Sequence, residues 1–133
     1  MSTISVNHIE GKGTPNSITV RGENVASINL QQGLNKAWFR LGVDAALHES
    51  FNSSSVDDDG TGDYGVHFTN NFSNSVYVSS HMMETDGLNP RMMIQSPDKA
   101  TGAVELRILN ANDGSANEGN INGAEMQICG DLA

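Results

Sequence analysis

The chain carries one cysteine, Cys129, so no intrachain disulfide framework holds it together. That residue ends the apolar run Met126-Gln127-Ile128-Cys129, where a small buried hydrophobe is expected rather than a nucleophile. Positive charge is also scarce. Seven Lys and Arg stand against sixteen Asp and Glu, a formal net charge of −9, and no basic cluster offsets it locally. Nucleic acid and anionic membrane surfaces are therefore not expected as partners. No apolar run approaches the length of a membrane-spanning helix, so membrane insertion is not expected either. The opening MSTISVNHIEG has neither the basic start nor the apolar stretch of a secretory signal. Motifs for nucleophilic or phosphate chemistry are missing too. There is no G-x-S-x-G elbow, no P-loop, and no Ser/His or Cys/His pair in a recognisable local context. The expectation is a non-enzyme without a cofactor.

What the chain has in quantity is Gly, Asn, Ser, Thr and Asp, in 133 residues of which 37% are hydrophobic. That length supports a modest core, and the composition favours short strands and turns over helical bundles. The stretch SFNSSSVDDDGTGDYGVHFTNNF, residues 50–72, organises the reading. Tyr64, Val66 and Phe68 alternate with Gly65, His67 and Thr69, placing the first three on one face of a strand. The run Asp57-Asp58-Asp59-Gly60-Thr61-Gly62-Asp63 supplies turn chemistry, so strand, polar loop and strand are expected.

Residues 1–24 suggest two short strands, around Ile4 and Val6 and around Ile18 and Val20, with a Gly/Pro turn at 11–16. Two such strands cannot stand alone, so this segment is expected as a docking arm through Ile4, Val6, Ile18 and Val20. Residues 25–133 are expected to form the knob. Leu30, Leu34 and Trp38 fall at four-residue spacing, which predicts one short helix broken near Gly33. Trp38 with Arg40, and Ala37 with Phe39 and Leu41, then read as the two faces of a strand. Trp38 is expected as a core anchor beside Phe51, Tyr64, Val66 and Phe68. Further strands are expected at 46–51, 63–69, 76–81, 90–95, 103–109 and 124–129. Evenly spaced short strands imply an all-β fold, an antiparallel β-sandwich or jelly-roll-like domain.

Candidate binding chemistry is thin. A calcium loop begun at Asp57 would need its closing Glu where Phe68 stands, so no metal site is expected there. His8, His48, His67 and His81 are too scattered for zinc. The doublets Met82-Met83 and Met92-Met93 each put one Met inward and one outward, and the outward ones invite a subunit interface. The loop at 110–123, NANDGSANEGNING, offers Asn112, Asp113, Asn117 and Glu118 as an exposed recognition surface for a host glycan. Few aromatics remain outside the expected core, which weighs against a carbohydrate-binding face.

Lys36-Ala37-Trp38, then Ser50-Phe51-Asn52-Ser53-Ser54-Ser55-Val56, then Asp59-Gly60-Thr61-Gly62-Asp63-Tyr64-Gly65-Val66-His67-Phe68-Thr69 resemble a module of virion proteins from marine tailed bacteriophages, many of them tail-fibre-like. The likeness covers residues 26–80. It departs at Phe39-Arg40-Leu41, at Gly65 and at His67. It implies a β-rich homotrimer on the virion surface, made in the host cytoplasm and partnered by itself and by capsid or tail proteins. At this length a small spike or capsid-decoration protein is expected rather than a long fibre, with a glycan-binding fibre tip as the alternative.

Overall fold

Alternation of apolar and polar side chains sets the architecture, because a strand with one apolar face must bury that face against another sheet. The computed structural model describes residues 4–11, 18–21, 27–30, 33–42, 46–85, 91–95, 99–116 and 121–133. Within them the chain is all β, and it divides into the units Met1–Leu34 and Asn35–Ala133. The division falls ten residues later than the expected boundary after residue 24.

In the first unit, β1 (Thr19–Arg21) pairs antiparallel with β2 (Ser27–Asn29), with Val20 opposite Ile28. The Leu30 N–H donates to the Ile18 carbonyl at 2.9 Å and closes the pair. Of the two strands expected in the arm, the one around Ile18 and Val20 is present as β1, whereas the one around Ile4 and Val6 is not. Residues 4–11 form no strand, and the partner of β1 is Ser27-Ile28-Asn29, close to it in sequence. The expected turn lies almost wholly outside the described residues.

The second unit contains β3 (Asn35–Leu41), β4 (Leu47–Phe51), β5 (Ser53–Gly60), β6 (Asp63–Phe68), β7 (Val78–Thr85), β8 (Arg91–Gln95), β9 (Ala103–Asn110) and β10 (Ile121–Cys129). They form two antiparallel four-stranded sheets, β4-β3-β10-β7 and β5-β6-β9-β8. One sheet contributes Ala37, Phe39, Leu41, Ala124, Met126 and Ile128 to the core. The other contributes Tyr64, Val66, Phe68, Met93, Val104, Leu106 and Ile108, and all these residues belong to one buried cluster. The arrangement is sandwich-like. Among the described residues there is no helix: Leu30, Leu34 and Trp38 fall on a turn, a bend and β3. Cross-strand pairing of β3 on both sides outweighs the weak helical spacing.

Two of the expected core anchors are corrected. Trp38 is 39% exposed and Phe51 is 52% exposed, whereas Tyr64, Val66 and Phe68 are buried. The strand alternation is as read, but the inward face of β3 is the one carrying Ala37, Phe39 and Leu41. Trp38 shares its face with Arg40, and Phe51 lies directly opposite Trp38 in register, so both rings face outward. The acidic run is also strand rather than loop. Asp57, Asp58 and Asp59 belong to β5, and the turn is confined to Thr61-Gly62; Gly60, at the end of β5, and Gly62 have φ of 133° and 68°.

The chain changes sheets between β4 and β5 at a single residue, Asn52, whose φ is 56°. Asn tolerates this left-handed conformation better than most residues. Its side chain also fastens the corner. Asn52 Oδ1 accepts from the Asn70 N–H at 2.7 Å, and Asn52 Nδ2 donates to the Asn70 carbonyl at 3.0 Å. Asn52→Ala is expected to lower unfolding free energy by about 2 kcal/mol, and Asn52→Gly by about 1 kcal/mol, since glycine removes only the backbone penalty. Urea unfolding checks the ranking, and equal losses would remove the left-handed corner from the explanation.

One end of the core is closed by rings. Phe68 and Phe72 lie edge to face at 4.9 Å, and Phe72 and Tyr77 are also 4.9 Å apart. The Tyr77 hydroxyl donates to the Ala103 carbonyl at 3.0 Å. Burial, with the Glu105 carboxylate adding to it, pushes the Tyr77 phenol up to about 12.

Candidate functional site

The outward face of the β4-β3-β10-β7 sheet carries the side chains that the core does not take. Register arranges them in rows. Phe51, Trp38, Gln127 and Ser80 lie across β4, β3, β10 and β7, and Glu49, Arg40, Glu125 and Met82 form the next row. Residues opposite one another on antiparallel strands share a face and touch. Above β3, β10 and β7 all of these side chains except that of Phe51 line an open groove of about 700 Å³, with Trp38 on one side, Met82 on the other and Gln127 and Glu125 between. Met82 is 71% exposed.

The polar groups in the groove hold one another. Asn35 Nδ2 donates to Gln127 Oε1 at 2.9 Å, and Gln127 Nε2 donates to Ser80 Oγ at 2.9 Å. The Cys129 thiol donates to Asn35 Oδ1 at 3.2 Å. Cys129 is thus a half-buried partner of this chain of amides. Arg40 Nε stands 3.7 Å from Glu125 Oε1. The guanidinium also lies over Gly123, where a Cβ would come within 2.7 Å of Arg40 Nε. Gly123 therefore leaves space for Arg40 to bend across β10.

The outward face of the other sheet is acidic. His67 Nε2 and Asp57 Oδ2 are 2.6 Å apart, and Arg107 Nη2 donates to Asp63 Oδ2 at 3.1 Å. The Glu105 carboxylate lies over Gly65, where a Cβ would meet Glu105 Oε1 at 3.0 Å. Desolvation raises the Glu105 pKa above 4.5, and Asp59 and Asp63 raise it further while His67 lowers it. The folded protein therefore holds the Glu105 proton more tightly than the unfolded chain, so this group's contribution to stability falls as pH rises from 4.5 through its folded pKa. Glu105→Gln is expected to raise the urea midpoint at neutral pH, with the gain shrinking toward pH 4.5. A lower midpoint for the variant at neutral pH would contradict this. Among the described residues no group of three or more His, Cys, Asp or Glu is placed to hold a metal ion.

The expected recognition loop spends its polar groups on itself. Asp113 Oδ1 accepts from the Ser115 N–H at 2.9 Å and from its hydroxyl at 2.7 Å, which holds the carboxyl below its ordinary range. The Asn112 N–H donates to Asn110 Oδ1 at 3.0 Å. Asn117 and Glu118 lie outside the described residues. The expected docking residues Ile4, Val6 and Val20 are exposed, Ile4 at 88%, and Ile18 is half-buried.

The groove escapes the sequence reading because Trp38 and Phe51 are assigned there to the core. A signal is nonetheless present: Arg40 shares the Trp38 face, and a guanidinium is far cheaper to place in solvent than in an apolar core. Fold and site together define an all-β, two-sheet protein with an open aromatic and amide-lined sheet face. Compared with known protein families, curated proteins and solved structures, the chain matches none.

Proposed function

We propose that this chain is a bacteriophage virion structural protein, a homotrimeric spike or capsid-decoration protein whose N-terminal unit docks on the particle. The observation that carries the reading is the uncovered apolar surface of that unit, where Ile4, Val6, Ile9 and Val20 are all exposed. Several exposed apolar side chains in so short a unit invite a partner. The resemblance of residues 26–80 to phage virion modules names the setting. The second unit is proposed as the displayed β-sandwich, jelly-roll-like only in having two four-stranded sheets. Its self-association is supported by Met92 and Ile94, both 40% exposed on the outer face of the edge strand β8. An apolar edge strand needs cover.

Adding the purified protein to phage particles that lack it tests the docking. The wild-type chain is expected to co-sediment with them, and the combined variant Ile4→Asp, Val6→Asp and Val20→Asp to remain in the supernatant while keeping its own assembly state. Equal attachment of both would move docking elsewhere.

A further inference from the structure

We infer that the groove beside Trp38 binds neutral or amino-sugar glycans, with the indole as stacking platform and the amides of Asn35 and Gln127 as the hydroxyl-reading edge. A sugar ring presents an apolar C–H face bordered by hydroxyls. It therefore needs an aromatic surface with fixed donors and acceptors beside it. Trp38 supplies the first and is exposed where the core rings are not. Phe51 lies directly opposite it on β4 but outside the groove lining, so the indole is the platform.

The second requirement is met by the amide chain. Gln127 is held between Asn35 and Ser80, both at 2.9 Å. Each amide NH2 carries two N–H donors and commits one to this chain. The second N–H of Asn35 and that of Gln127 remain for ligand hydroxyls, already oriented by the first. Such preorganisation reduces the entropy lost on binding.

Charge narrows the ligand class. Glu49 and Glu125 share the groove with Arg40, so its formal side-chain charge is negative, and the whole chain stands at −9. Carboxylated or sulfated sugars would be repelled, while hydroxyls and ammonium groups would be accepted. A volume of about 700 Å³ suits a short oligosaccharide, and the open sides allow a longer chain to run through. A second copy of this face fits poorly. Interface centres are depleted of charge, whereas the row Glu49-Arg40-Glu125 crosses the middle of this surface. The inference stands independently of docking by the N-terminal unit.

Trp38 is the sole tryptophan, so its emission reports on the groove directly. The full-length protein would be titrated with maltotriose, mannotriose, chitotriose and sialyllactose. The expected result is a saturable change in emission with at least one of the first three and none with sialyllactose. Gln127→Ala, which keeps the fluorophore, is expected to weaken that binding roughly tenfold, the scale of one well-placed hydrogen bond. Circular dichroism would establish that the variant is folded. Three results would overturn the inference: no response to any neutral or amino sugar at concentrations on the order of 10 mM, well into the weak-binding range; an unchanged affinity in folded Gln127→Ala; or a protein-concentration-dependent change in emission without sugar, accompanied by a rise in mass, which would make the face a contact between copies.

Discussion

Phe39→Ala is expected to lower the unfolding free energy by about 3–5 kcal/mol, while Trp38→Ala, one residue earlier, is expected to lower it by roughly 1 kcal/mol or less. The two side chains are of similar chemistry and sit on the same strand. They differ in the face they occupy. Phe39 is 1% exposed and packs in the cluster shared by both sheets, so truncating it removes apolar burial and leaves a cavity that the surrounding strands cannot fill. Trp38 already keeps much of its surface in water, and its loss leaves no enclosed void. Since the strand period is two, a one-residue slip in β3 would exchange these roles. Denaturant unfolding followed by far-UV circular dichroism, which does not depend on the tryptophan, measures both. A larger loss for Trp38→Ala would mean that β3 faces the other way, and the groove would go with it.

Gly130→Ala is the second substitution with a large expected effect. A Cβ at this position would meet Tyr77 Cβ at 2.9 Å and the Phe72 ring at 3.0 and 3.1 Å. Neither neighbour has space to yield. Phe72 and Tyr77 are 1% and 2% exposed, Phe72 is wedged between Phe68 and Tyr77, and Tyr77 is tied by its hydroxyl to Ala103. The methyl must displace a ring that closes the end of the core. A loss of about 2–3 kcal/mol is expected, in the range found for overpacked cores, and thermal unfolding should fall by roughly 10 °C or more. Phe72→Leu in the same chain should return part of the loss, because the smaller side chain vacates the contested space. Wild-type stability in Gly130→Ala would show that this end of the core is loosely packed.

These two cases also mark how far the sequence could be read. Alternation in Tyr64-Val66-Phe68 and in Val104-Leu106-Ile108 identified the inner faces of β6 and β9, because each run has a plainly more apolar side. In β3 both sides carry an aromatic ring, Trp38 on one and Phe39 on the other. Size alone favoured the tryptophan, and the charge of Arg40 on its face was the better guide. Asp57-Asp58-Asp59 read as a turn because aspartate disfavours strands, yet β5 is an edge strand whose outward carboxylates meet solvent, His67 and the Glu105 face. Strand order was not legible. The pairing of β10 with β3 joins residues 83 to 94 positions apart, and its pairing with β7 joins residues 36 to 51 apart, and no local pattern encodes either. The groove was illegible for the same reason, since Asn35, Ser80 and Gln127 meet only through those long-range pairings.

Assembly through the second unit, as proposed, would leave the N-terminal unit for docking. Light scattering on the full-length protein, beside the Ile4→Asp, Val6→Asp, Val20→Asp variant, tests it most directly. Three copies of the 14.2 kDa chain are expected in both samples. A monomeric wild-type protein would contradict the claim, and a trimer that falls apart in the variant would make the N-terminal unit the assembly element instead of the docking one.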